Sequence, residues 1–291
     1  MLFSGRRLAV VVVAVAACRG GERSSALPVD DEGAGLALQA PASAVVSLSP
    51  AFTELLFAIG AGDRLVGRTR WCDYPPGVER VPSVGDGLPP VVEVVLARRP
   101  DLVLFYTSAS NAAALDQVRR AGITAASFRM DRLDDVPRLA RLLGWLTGAA
   151  DSAEWVAQGF ERALDSARAV APAARRRVAV VVWDNPPIVI GAGSFLSELL
   201  RLAGAANAFD DIAAPSAQTS IETIAARNPD ALLVLEGDAS PAFARRPEWQ
   251  LVRAVRERRF VSVHGSEFHR PSPRAVEAVR VLKRALDTGG H

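Results

Sequence analysis

The residues of this 291-residue chain best suited to chemistry are bulky aromatics that sit just after short apolar runs. Trp71, Asp73 and Tyr74 belong to Trp-Cys-Asp-Tyr-Pro-Pro after the run around Val66, and Tyr106 follows Leu104. Trp183 precedes Asp184-Asn185-Pro186-Pro187 after the run around Val181, and Phe268-His269-Arg270-Pro271 follows the run at Val261. In open α/β sheets the ligand crevice lies beyond the carboxyl ends of the strands, so rings at these positions are expected to face a cleft. Flat rings stack on a large planar or apolar ligand, and Arg270 can hold carboxylate, phosphate or amide oxygens. Each ring taken singly fits core packing; their shared position favours recognition.

Signatures of bond-making are missing. The chain has no P-loop, no Gly-x-Ser-x-Gly, no Cys-x-x-Cys and no His-Glu-x-x-His. Gly191-Ala192-Gly193-Ser194 opens a helix and reads as a tight turn rather than an anion cradle. His264 and His269, with Glu267, form the one set that could hold a metal. A metal needs at least three convergent ligands, so a metal-dependent enzyme is the alternative, and neither a metal nor a cofactor is expected.

Strands and helices in alternation must position these groups. Val45–Leu48, Leu65–Gly67 and Asp101–Phe105 read as strands, with helices from Pro50 to Ile59, Val91 to Arg98, Asn111 to Ala121 and Val136 to Leu146. Asp151 to Val170 reads as one helix of about 30 Å, a strut between two lobes. The pattern then restarts with Val178–Trp183 as a strand buried on both faces, followed by helices at Ser194–Ala203 and Ile221–Arg227. Strands at Ala231–Leu235 and Phe260–Val263 and a helix over Ser272–Leu286 complete it. The expected fold is α/β: two Rossmann-like lobes with mainly parallel sheets, joined by a single long helix, and a cleft between them.

An internal repeat supports two lobes. Glu54-Leu55-Leu56, three residues, then Gly60-Ala61 recurs as Glu198-Leu199-Leu200, three residues, then Gly204-Ala205. Glu93 lies seven residues before Pro100-Asp101, and Glu222 seven before Pro229-Asp230. Equivalent carboxylates on two lobes suit a dimeric partner with paired arginines; they equally suit helix N-termini, where the dipole favours negative charge.

The chain begins with Arg6-Arg7 and an apolar run from Leu8 to Ala17, an export signal too short to span a bilayer permanently. Val15-Ala16-Ala17-Cys18 resembles a bacterial lipobox, which makes Cys18 the expected lipid attachment site; the alternative is a secretory peptide with an incidental cysteine. Cys72 is the only other cysteine, so no internal disulfide is expected. The 34 basic and 32 acidic residues nearly balance, which argues against nucleic acid as a partner. The expected organisation is a signal peptide with lipobox at 1–18, a flexible tether at 19–43, a first lobe at 44–148, a connecting helix at 149–172 and a second lobe at 173–291.

Val46-Ser47-Leu48-Ser49-Pro50 with Thr53-Glu54, Asp63–Thr69 with Cys72-Asp73-Tyr74-Pro75-Pro76, Glu93 with Pro100-Asp101, Asn185-Pro186-Pro187, Glu222 with Pro229-Asp230, and Arg270 with Ser272-Pro273-Arg274 together resemble the helical-backbone class of ABC-transporter substrate-binding proteins. Asp73-Tyr74-Pro75-Pro76 brings the resemblance closest to the vitamin B12-binding members. The resemblance covers about Val45 to Leu286. It implies an extracytoplasmic, lipid-anchored, monomeric carrier that is not an enzyme and closes modestly on its ligand. That ligand would be cobalamin or a related corrinoid, with a siderophore or haem as the alternative. It implies Trp71 and Trp183 as cleft walls, Arg270 at a ligand side chain, and Glu93 and Glu222 on arginines of the permease dimer. The family pattern is departed from at Gly87 and Ser216, where tryptophans would stand, and around Ser266-Glu267.

Overall fold

A computed structural model of the chain describes residues 27–174, 176–235 and 241–288. In the first lobe, β1 (Val45–Ser47), α1 (Pro50–Ala58), β2 (Leu65–Arg68), α2 (Val92–Leu96), β3 (Leu102–Tyr106), α3 (Ala112–Arg120) and β4 (Thr124–Phe128) follow one another. The four strands are parallel in the order β2-β1-β3-β4. Strands β1 and β3 lie centrally, and Val45, Val46, Leu102, Val103, Leu104 and Phe105 are fully buried, which is why they read as unbroken apolar runs. Strand β4 is absent from the sequence reading. Its Thr-Ala-Ala-Ser-Phe has little branched apolar character, and it becomes a strand through five-residue pairing with β3.

Helices α4 (Asp135–Thr147) and α5 (Ala150–Ala169) turn back on each other at Gly148, which takes a left-handed φ of 71°. The strut is therefore not isolated: Ala153, Ala157, Phe160 and Leu164, at helical spacing, are buried. The approach is close, because a Cβ on Gly144 would meet the Ala153 Cβ at 2.3 Å.

The second lobe contains β5 (Arg176–Asp184), β6 (Pro187–Ile190), α6 (Phe195–Ala203), β7 (Ala205–Asn207), β8 (Ser216–Gln218), α7 (Ile221–Arg227), β9 (Ala231–Leu235), α8 (Arg253–Arg256), β10 (Phe260–Val263) and α9 (Ala275–Thr288). Its sheet runs β10-β9-β5-β6-β8, with β7 beside the start of β5. This sheet is mainly parallel, as expected: β7, β9 and β10 run with β5, and only β6, antiparallel to both β5 and β8, runs the other way. Val178 to Val181 is buried as expected, but Val182 and Trp183 are exposed, because β5 runs on into a hairpin with Asp184 opposite Pro187.

The repeat has a structural meaning. Arg99 and Asn228, both at left-handed φ, precede Pro100-Asp101 and Pro229-Asp230. The Asp101 N–H donates to Ala44 O while its carboxylate accepts the Ser43 and Ala44 N–H groups. Asp230 does the same with Arg177, donating to its carbonyl and accepting its N–H at 2.8 Å. Each Pro-Asp thus clips the start of one strand to its parallel neighbour, β3 to β1 and β9 to β5.

The expected tether at 19–43 needs correction over its described part. From Leu27 to Ser43 the chain straps the outer edge of β4, with Leu36 in the core and Asp30 only 4% exposed. The Asp30 carboxylate accepts the N–H groups of Glu32, Ala34 and Ser127 and the Arg119 guanidinium. Asp31 N donates to Ser127 O. A strap held by a buried aspartate has no apolar periodicity, so hydrophobic pattern alone cannot reveal it. Residues 19–26, like Cys18 and the signal, lie outside the described residues. Asp30→Ala leaves the buried Ser127 N–H and three less buried donors without their acceptor and is expected to cost about 1–3 kcal/mol, a fall of several degrees in Tm by calorimetry.

Candidate functional site

The carboxyl ends of the first lobe's strands converge on a cleft of about 570 Å³. Ser49 follows β1, Trp71 and Asp73 follow β2, Tyr106 ends β3, and Met130 and Asp131 follow β4. The second lobe contributes Ser194, Phe195 and Pro215 from one side and His269, Arg270 and Pro271 after β10. This is the crevice expected beyond the strand ends, and its volume suits a bound small molecule.

Trp71 is 58% exposed, with Arg70 stacked 4.8 Å from its ring, so a large apolar face stands ready at the cleft. The Tyr106 hydroxyl donates to Asp131 Oδ1 at 2.6 Å. Burial and the Asp131 carboxylate push the Tyr106 phenol well above its usual range, so it remains a donor. Burial alone would raise the Asp73 carboxyl, yet the Arg270 guanidinium outweighs it and holds Asp73 below the usual carboxylate range.

Arg270 lines the cleft, but its charge is already engaged. Only 8% exposed, it donates Nε to Glu54 Oε2 at 3.2 Å and Nη2 to Asp73 Oδ1 at 2.5 Å. Arg274 forks onto the same Glu54 and pairs with Glu267 at 2.7 Å. Its guanidinium lies 3.9 Å from the centre of the Tyr74 ring. Tyr74 therefore packs behind the cleft wall and is not among the residues lining the cleft. Asp73 and Arg270 neutralise one another across the two lobes rather than presenting free charge.

Two other expected site residues lie elsewhere. Phe268 is fully buried in the core: the short turn Ser266–Phe268 points it inward and leaves its neighbour His269 on the cleft. Trp183 is exposed at the β5–β6 hairpin, its indole N–H donating to Asn185 O at 2.8 Å, and it does not line the cleft. With Glu267 taken by Arg274, His264 and His269 lack the third ligand. Among the described residues no group of three His, Cys, Asp or Glu is arranged to hold a metal ion.

The glycine-rich turn spends its amides inside the protein. Gly191 N donates to Pro215 O and Ala192 N to Ile212 O, and a Cβ at Gly191 would meet Ala214 O at 2.3 Å. Gly87 has φ +80°, and a Cβ there would meet the Thr69 side chain at 2.5 Å and Leu48 O at 3.1 Å, so no ring can stand at that position as the lobe is built. Cys72 is buried beside the Thr53 and Thr69 hydroxyls, at 3.2 and 3.3 Å.

Sequence reasoning missed Asp131, Met130 and Phe195 as cleft residues, and Glu54 and Arg274 as its support. Met130 and Asp131 follow the unrecognised strand; the repeated Glu-Leu-Leu and the Thr53-Glu54 of the family resemblance were the available signals for Glu54. Glu93 and Glu222 are solvent-exposed in the first turns of α2 and α7, each helix leading into a Pro-Asp clip. The backbone at Glu222 and the Ser220 hydroxyl hold the Glu222 carboxyl below its usual range.

Residues 45–266 match the family model described as periplasmic binding protein. The chain is 30% identical over 250 residues to an uncharacterised ABC transporter substrate-binding lipoprotein, YvrC, of Bacillus subtilis, covering 83% of this chain and 79% of that one. It is 28% identical over 245 residues to the vitamin B12-binding protein of Pectobacterium atrosepticum, covering 82% and 86% of the two chains. The solved periplasmic heme-binding protein RhuT of Roseiflexus sp. RS-1 superposes with a TM-score of 0.74 at 25% identity, over 86% of this chain and 99% of that one. No described helix is long and apolar enough to cross a membrane.

Proposed function

The chain belongs to the periplasmic binding protein family, and on that premise we propose that it is an extracytoplasmic lipoprotein that captures cobalamin or a related corrinoid and delivers it to an ABC importer. The family is one of transport components rather than enzymes. The observation that carries the ligand class is the cleft between the lobes: its lining includes aromatic rings and a thioether from both lobes, Trp71, Tyr106 and Met130 on one side and Phe195 on the other, while its nearby charges are paired to each other. A surface of that kind suits a large, flat, nearly neutral ligand with polar edges better than a small ion. Similarity to a vitamin B12-binding relative supports the corrinoid.

Haem is the second reading, and His269 favours it: an imidazole on the cleft rim is a suitable iron ligand. Similarity to a heme-binding protein points the same way. In either case Cys18 would carry the lipid, Glu93 and Glu222 would engage the permease, and the carrier would act as a monomer.

The test is a titration of the purified body, begun after Cys18, with cyanocobalamin and separately with haemin, followed by absorbance and tryptophan fluorescence. Saturable quenching at one corrinoid per chain supports the proposal. A haemin complex with an imidazole-bound iron spectrum and no response to cyanocobalamin replaces it with the second reading. Tyr106→Phe removes the donor to Asp131 at the cleft wall and is expected to weaken the bound ligand by about 1 kcal/mol, roughly fivefold in Kd, with the far-UV spectrum unchanged.

A further inference from the structure

The repeated Glu-Leu-Leu motif, at 54–61 and 198–205, supplies no residue to the lining of the cleft, yet both copies are built alike. Helices α1 and α6 each follow an extended serine, Ser49 or Ser194. Leu55, Leu56, Leu199 and Leu200 go into the core with no exposure. Each helix is followed by a left-handed glycine, Gly60 or Gly204. The glutamates are nearly as buried, 2% exposed at Glu54 and 3% at Glu198, but they face the opposite lobe.

Glu54, carried by the first lobe, accepts Arg274 Nε and Nη2 at 2.8 and 2.9 Å and Arg270 Nε at 3.2 Å, all from the second lobe. Glu198, carried by the second lobe, accepts Leu133 N at 2.9 Å and pairs with Arg132 Nε, both from the first. Each contact also touches a cleft wall. Arg270 goes on to Asp73, and Asp131, beside Arg132, holds Tyr106 by its side chain and accepts Phe195 N at 2.7 Å by its carbonyl.

We propose that Glu54 and Glu198 are a duplicated pair of positioning residues, a reciprocal clasp that sets the width of the cleft. An ion pair suits this task better than apolar packing. A pair with one buried carboxylate and a partly hydrated guanidinium gains little net free energy over its separate parts, so the clasp specifies one geometry without locking the lobes together. Two clasps built in opposite directions resist both opening and twisting of one lobe on the other.

The test reads the distance between nitroxides attached through p-acetylphenylalanine at positions 116 and 248, one exposed site on each lobe, by pulsed electron resonance on the full chain in detergent. No cargo is added, so failure of the corrinoid reading leaves this measurement intact. The native chain is expected to give one narrow distribution. Glu54→Gln with Glu198→Gln cannot balance the guanidinium charges and is expected to shift the distribution to longer, broader distances. Arg132→Gln with Arg274→Gln, at more exposed positions, repeats the test should the first pair fail to fold. A folded double variant whose distribution superposes on the native one overturns the clasp.

Discussion

Reversing both exposed glutamates, Glu93→Arg with Glu222→Arg, is expected to abolish uptake of labelled cobalamin by cells while leaving the Kd of the purified protein within about twofold. Neither residue lines the cleft, and both sit in solvent on the first turn of a short helix. Each helix is anchored at its carboxyl end by a left-handed residue and then by the Pro-Asp that clips β3 to β1 or β9 to β5. The two carboxylates are therefore held at equivalent corners of two rigid sheets, the arrangement a two-fold partner with paired arginines requires. Replacing attraction by repulsion at such a contact costs several kcal/mol per site, so uptake is expected to fall at least tenfold and single reversals to give intermediate loss. Native uptake by the double variant, measured at equal surface abundance, would sink the docking proposal.

Trp71→Ala is expected to weaken corrinoid binding about 30- to 150-fold, with no loss of thermal stability. The indole is 58% exposed in the open cleft and is held there by Arg70, which itself pairs with Asp86. Stacking a ligand on that face removes on the order of 100 Å² of ring from water, about 2–3 kcal/mol at roughly 25 cal/mol per Å²; the fold-change comes from that figure. Because the ring supports nothing in the core, Tm stays at the native value. Unchanged affinity measured by fluorescence of the remaining tryptophans would place the ligand on another surface. Trp183→Ala is the natural comparison: its ring stands at the β5–β6 hairpin and does not line the cleft, so a smaller effect is expected there.

How much of this is legible before folding depends on the kind of signal. Runs such as Val178 to Val181 and Leu102 to Phe105 are apolar on every side because neighbours cover both faces of a central strand, and such runs are readily recognised. Helices α1, α6 and α7 can be placed nearly to the residue, since a serine start and a glycine or asparagine stop bracket each one. Elements without an apolar run cannot: the edge strands β4 and β8, and the short β6 inside β8, take their identity from partners that supply hydrogen bonds, and the strap at 27–43 is held by one aspartate. At the cleft, Trp71, Asp73, Tyr106 and Arg270 are legible because they come after strands, while Phe268 is misplaced because a tight turn decides which of two adjacent residues faces inward.

Local patterning and the duplicated motifs by themselves determined two α/β lobes, the long helix between them and the strand ends on which a cleft must form. Only the tertiary structure decided what the charges there do. Glu54 and Asp73 stand 197 to 220 residues before Arg270 and Arg274, and their pairing across the lobes converts a prospective ligand-binding arginine into part of the cleft's frame. The physical reason is desolvation: a charge brought into a closing interface must find its opposite there, and which opposite it finds is set by the folded geometry of both lobes.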